Sequence, residues 1–141
     1  MKLSEHFTRE ELIASGTGLP NVPTEQQSEK LLYLAIYLLE PLRRRFGRIK
    51  VNSGYRSPAV NDAVEGSKTS QHMEGEAADI VPLISDIDIV FSWAEKNLKY
   101  GQIIIEHKDA RWIHISLPRI GGMNQQALLY KDGRYSNYSR G

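Results

Sequence analysis

The chain has 141 residues with no cysteine, 40% apolar and 25% charged, and 18 Lys+Arg against 17 Asp+Glu. That length suits one domain spanning residues 1–141, able to bury roughly two thirds of its unfolded surface without staples. The composition excludes disulfide scaffolds, thiolate metal sites, coiled coil and wholesale disorder, and a net charge of +1 gives no case for nucleic acid or a membrane surface.

Thr8-Arg-Glu-Glu11 is a capping-box pattern that predicts a short helix from Thr8, and Ala14–Pro23, with two glycines and two prolines, reads as loop. Thr24 reads as the N-cap of a long helix. Leu31, Leu34, Ile36, Leu38, Leu39 and Leu42 follow at near-helical spacing. Pro41 should kink that helix or mark a junction in it, and Gly47 should end it. Arg43–Arg45 in its last turn reads as a solvated helix end favoured by the dipole rather than as a nucleic-acid patch. Ile49–Val51 alternates like a strand, and Pro58–Val64 is a helical turn in an otherwise polar stretch. Ala77–Val81 is a second strand and Ser85–Leu98 a second substantial helix. Gln102–Glu106 and Trp112–Leu117 are strands joined through His107–Arg111, while Ala127–Tyr130 and Arg134–Tyr138 flank the turn Lys131-Asp-Gly133. Helices early and strands late predict an α+β fold with helices on a mostly antiparallel sheet. The longest apolar run, Leu31–Leu39, is too short to span a bilayer, and Glu5, Glu10 and Glu11 break any signal-peptide pattern.

The chemistry falls to histidines and carboxylates. His72 lies in the polar segment Ser70–Asp79, and His114 is mid-strand, where alternation puts Trp112, His114 and Ser116 on one face and Ile113 and Ile115 on the other. Asp79 sits inside the apolar run Ala77–Val81, where a lone carboxylate is costly and a bound cation would remove the cost. Two histidines and one aspartate suffice for a catalytic zinc with an open position. By spacing alone, His-x6-Asp does not separate such a site from a hydrogen-bonded strand histidine and a capping aspartate.

Ser70-x-His72-x-x-Gly75-x-Ala77-x-Asp79 resembles the zinc-binding signature of the D-Ala-D-Ala metallopeptidase family. That family includes D,D-carboxypeptidases, D,D-dipeptidases and the L-Ala-D-Glu endopeptidases of phage lysins, and it shares its fold with the hedgehog signalling domain. Ser53-Gly-Tyr-Arg-Ser57, Gln102–Glu106 and Trp112-Ile-His114 match further family segments in order. Leu3–Leu12 and Leu39–Arg43 resemble the single-domain branch, so the likeness covers roughly residues 3–117. It implies Zn2+ held by His72, Asp79 and His114, with Arg56 binding the substrate carbonyl and steadying the oxyanion. Ser70 is then either a substrate-binding residue or a turn hydroxyl, and Gly75 supplies a special backbone conformation.

The sequence departs from the family at one position: the catalytic acid that often precedes the last histidine by three residues is Arg111 here, which cannot act as a base at neutral pH. Glu106, then Asp109, then His107 are the remaining candidates, with Glu106 favoured because a hairpin would hold it beside His114. The implied activity is hydrolysis of an amide bond in a peptidoglycan stem peptide by metal-activated water, by a monomer without nucleic-acid or membrane partners. The missing export signal suits a cytoplasmic enzyme awaiting release, or a phage or prophage product. The alternatives are a catalytically impaired zinc module that binds wall or serves a phage structure, and a domain that binds a partner through its Tyr-rich tail.

Overall fold

A computed structural model describes residues 1–122 and 124–139. The first helix, α1 (Arg9–Ile13), starts where the capping box predicts: the Thr8 side chain accepts from the Glu11 N–H, and the Glu11 side chain accepts from the Thr8 N–H. The same device opens α2 (Glu25–Leu34), through Thr24 and Gln27. The helical rod then runs through a π-helical turn at Ala35–Leu39 into α3 (Glu40–Phe46). Pro41 explains the turn. It has no N–H to give, and its ring would meet the carbonyl four residues back, so the chain widens and the Glu40 N–H reaches Ala35 O instead. The prolyl junction is therefore a π turn. Leu31, Leu34, Leu38, Leu39 and Leu42 are buried, whereas Ile36, two positions on from Leu34, faces solvent with Tyr33 and Tyr37.

Gly47, at φ +81°, ends α3 and feeds β1 (Ile49–Ser53). A short helix α4 (Pro58–Ala63) and a 3₁₀ turn (Gln71–Glu74) lead to β2 (Ala77–Pro82), and α5 (Ile87–Asn97) leads to β3 (Gln102–Lys108) and β4 (Ala110–Ser116). β5 (Gln126–Lys131) and β6 (Arg134–Asn137) close the chain through Asp132-Gly133, both at positive φ as a tight hairpin requires. The fold is α+β. Its six-stranded sheet has the order β1-β2-β4-β3-β5-β6, antiparallel throughout except for the β3–β5 pair.

Alternation divides the sheet into two faces. Ala78, Ile80, Ile103, Ile105, Ile113 and Ile115 point into the core with Leu34, Leu38, Val90, Phe91 and Ala94 from the helices. The other face carries Asp79, His114, Ile104, Glu106 and Trp112, which line an open cleft of about 520 Å³. One face thus buries the apolar surface that holds the fold together, and the other is left for chemistry. Arg45 at the end of α3 stacks over Trp93, 5.1 Å from its ring, and Arg44 pairs with exposed Glu5, so the basic turn is spent on local contacts. No helix of the described residues is long and apolar enough to cross a membrane.

Candidate metal centre

His72 is positioned by a turn whose parts are all visible in the sequence of its loop. The Ser70 hydroxyl oxygen accepts from the His72 N–H at 3.1 Å and caps the 3₁₀ turn, and Gly75 ends the turn in the left-handed conformation at φ +73°. A Cβ on Gly75 would lie 2.5 Å from Gln27 O at the start of α2, so the glycine is needed both for its φ and for the close packing of that helix. The turn carries the His72 ring to the end of β1, where Nδ1 donates to the Gly54 carbonyl at 2.7 Å.

That hydrogen bond decides the tautomer. A carbonyl oxygen only accepts, so Nδ1 carries the proton and neutral His72 presents a bare Nε2. This Nε2 lies 3.3 Å from Asp79 Oδ1. Burial pushes the His72 pKa down, against the pull of the Asp79 charge, which disfavours the imidazolium that would be needed to donate there. Two lone pairs therefore face each other across a hydrogen-bond distance, an arrangement that a cation between them relieves. Asp79 and His114 are direct partners across β2 and β4, and His114 Nδ1 is 3.1 Å from the same Oδ1. The three donor atoms all lie within 4.8 Å of one another. Burial pushes the Asp79 carboxyl up, but its contacts, the hydrogen bond from His114 among them, outweigh this and hold it well below the usual carboxylate range. Two imidazole nitrogens and one carboxylate oxygen, with the His72 tautomer fixed from behind, are a donor set that fits a zinc ion.

Arg56 stands on the outer side of Asp79. Its Nη2 donates to Asp79 Oδ2 at 3.1 Å, its Nε to Ser53 Oγ at 3.0 Å and its Nη1 to Asn61 Oδ1 at 3.3 Å. Its backbone N–H donates to His72 O at 3.0 Å. Of the five guanidinium N–H donors, two have no partner among the described residues, and the residue lines the cleft. Ser70 also lines the cleft, so its hydroxyl acts as a turn cap while remaining within the site.

The structure separates the candidate acids. Glu106 is on the cleft face, paired with Trp112 across β3 and β4, and its carboxylate accepts from Trp112 Nε1 at 2.8 Å. Ile104, not Glu106, lies opposite His114, so Glu106 is one diagonal step away. Burial, and then the Asp79 charge, push its carboxyl above the ordinary glutamate range. Asp109 is not brought to the cleft. The β3–β4 pairing persists to Lys108 and Ala110, so the expected five-residue connection shrinks to a tip on which Asp109, at φ +62°, is exposed. His107 lies on the face opposite Glu106, as alternation predicts. Arg111 faces away from the cleft as well, in a two-pronged pair with Asp88 at 3.0 and 3.2 Å. Ser116, expected on the histidine face, is buried and its Oγ accepts from the Gln102 N–H.

Several contributors were missed in the sequence. The Gly54 carbonyl leaves no side-chain trace, and Ser53 and Asn61 look like loop polar residues. Trp112 was visible through its alternation with His114. A second set, Glu5, His6 and Glu40, also brings three donor atoms within 4.8 Å. There the buried Glu40 carboxylate already accepts from Ser4 Oγ, the His6 N–H and His6 Nδ1 at 2.7–2.8 Å, which ties the first residues to α3.

The peptidase M15 family model matches residues 5–116, and no curated protein matches the chain. The matched span contains His72, Asp79, His114 and Arg56, together with four of the six strands. On that match, the chain belongs to the peptidase M15 family.

Proposed function

We propose that the protein is a zinc-dependent peptidase that hydrolyses an amide bond in the stem peptides of peptidoglycan. The observation that carries the reading is the bare His72 Nε2, held by the Gly54 carbonyl against Asp79 Oδ1, with His114 Nδ1 completing the donor set. Zinc held by His72, Asp79 and His114 supplies Lewis acidity, which polarises a carbonyl and makes water more acidic.

The chain's own groups do the rest. The Glu106 carboxylate, kept in place by Trp112 Nε1, takes the proton of the attacking water and returns it to the leaving amine. In the zinc-free protein, burial, and then the Asp79 charge, raise its pKa above that of a solvated glutamate. Arg56 turns its two unengaged N–H groups toward the developing oxyanion while Asp79 Oδ2 anchors the guanidinium. The Ser70 hydroxyl, which accepts from His72 N–H, keeps its own proton for a substrate carbonyl. Glu106 supplies the acid that position 111 lacks, which favours hydrolysis over a module that only binds wall.

The test is digestion of purified peptidoglycan by the zinc-loaded protein, with new amino termini identified. Glu106→Gln should retain zinc and lose about two to four orders of magnitude in turnover, the usual contribution of a positioned base. Asp109→Asn, at the exposed hairpin tip, should stay near wild type. No new termini from a zinc-loaded sample, or the reverse ranking of the two variants, would overturn the assignment.

A further inference from the structure

The family match ends at residue 116, and the hairpin that follows extends the cleft. β5 joins β3 in parallel with Tyr130 beside Glu106, and Tyr130 pairs with Tyr135 across β5 and β6. Trp112, Glu106, Tyr130 and Tyr135 therefore occupy one row across four neighbouring strands, and all four line the cleft. The two tyrosine rings sit 4.6 Å apart, tilted by 51°, and Tyr135 is 59% exposed. At the foot of this wall are apolar side chains, Ile104 and its strand partner Leu128. The hairpin is anchored: Tyr138 packs edge-on against Phe91 with centroids 4.9 Å apart, and its N–H donates to Ala127 O at 3.0 Å. A rigid aromatic pair offers apolar contact at small entropic cost, since each ring has few torsions to fix.

We propose that Tyr130 and Tyr135 are specificity-determining residues, forming a wall against which an aliphatic side chain of the peptide substrate packs, within about four residues of the scissile amide. The inference rests on the peptidase reading above. Tyr130 lies two residues along β3 and two strand spacings from His114, about 12 Å between Cα atoms, and Tyr135 lies one strand spacing farther, about 16 Å. Side chains on one sheet face stand roughly parallel, so these separations correspond to about four extended residues of a bound peptide.

The experiment uses the zinc-loaded full chain and the stem peptide that the wall digest shows to be cleaved, together with its analogues carrying glycine in turn at each position within four residues of the cut. Tyr135→Ala and Tyr130→Ala should each raise KM about tenfold, as loss of an aromatic packing contact does. The zinc stoichiometry should be unchanged, because neither ring belongs to the donor set, and KM should move more than kcat. Tyr135→Phe and Tyr130→Phe, which keep the rings, should stay near wild type. For one analogue the glycine should raise KM with the wild-type enzyme and add little to the effect of Tyr135→Ala, the signature of two groups in contact. Unmoved KM in both Ala variants, Phe variants as impaired as Ala, or full additivity with every analogue would overturn the wall. A wild-type chain that binds zinc and cleaves nothing would instead remove the peptidase reading, and this inference with it.

Discussion

Gly54→Ala tests whether the metal centre depends on the backbone behind it. A Cβ at this position would lie 2.3 Å from Leu12 O, 2.9 Å from Leu12 C and 3.0 Å from Leu12 Cα. All three are backbone atoms, so no rotamer change relieves the contact. Either α1 moves outward, or the end of β1 moves away from it. The first opens the core around Leu12 and Phe7, both essentially fully buried, and strains the Tyr55 N–H bond to Leu12 O at 2.7 Å. The second shifts the Gly54 carbonyl off His72 Nδ1. Overpacking of this kind costs about 1–3 kcal/mol, and a weakened backbone hydrogen bond adds about 1 kcal/mol. At about 3 °C per kcal/mol for a domain of this size, the midpoint of thermal unfolding should fall by about 6–12 °C. Displacing the carbonyl that orients a ligand imidazole should also weaken zinc binding by about 10- to 100-fold. Circular dichroism melts and a competitive chelator titration read the two effects separately. A variant that melts within about 1 °C of wild type would show that the backbone contact is not tight. A destabilised variant with wild-type zinc affinity would refute the role of the Gly54 carbonyl in presenting Nε2.

Arg56→Lys keeps the charge and loses the fork. It should cost about 2.7–4 kcal/mol of transition-state stabilisation, by analogy with loss of one oxyanion donor, as read from kcat/KM. Because Nη2 also holds Asp79 Oδ2, zinc affinity should weaken as well, and a chelator titration showing wild-type affinity would dissociate the arginine from the ligand. The Glu106 carboxyl should titrate above the ordinary glutamate range in zinc-free protein, since burial and the Asp79 charge both favour its neutral form. Zinc loading should lower that pKa, because a bound cation favours the carboxylate. Proton binding at Glu106 therefore opposes metal binding, and affinity should rise with pH through its titration. Carboxyl NMR of a labelled chain reads the shift, and an unmoved or rising value on zinc addition would place Glu106 outside the field of the metal.

Much of the architecture was legible because it is written in local chemistry. Thr8 with Glu11, and Thr24 with Gln27, mark helix starts by capping pairs three residues apart, and Asp132-Gly133 marks a hairpin by its demand for positive φ. The donor set was legible through its resemblance to a family signature, and through the oddity of a carboxylate inside an apolar strand. The Gly54 carbonyl, the π turn before Pro41 and the Tyr130–Tyr135 row were not legible, because each depends on which segments meet in space. A backbone oxygen has no letter in the sequence, and a tyrosine two strands away carries no sign of its neighbour.

The proposed exchange of acid positions is consistent with strand geometry. Residues 111 and 114 differ by an odd number, so in an unbroken β4 they lie on opposite faces. β3 and β4 stay paired as far as Lys108 and Ala110, so β4 is regular at position 111 and any side chain there points toward α5, where Arg111 meets Asp88. A carboxylate three residues before the last histidine could reach the cleft only if the chain left strand geometry before that histidine. With the hairpin extended, the cleft face near His114 is reached instead from even-numbered positions of β3. Ile104 lies directly opposite His114, and Lys108 lies out near the tip. Glu106 is the acid among them, held there by the indole of Trp112.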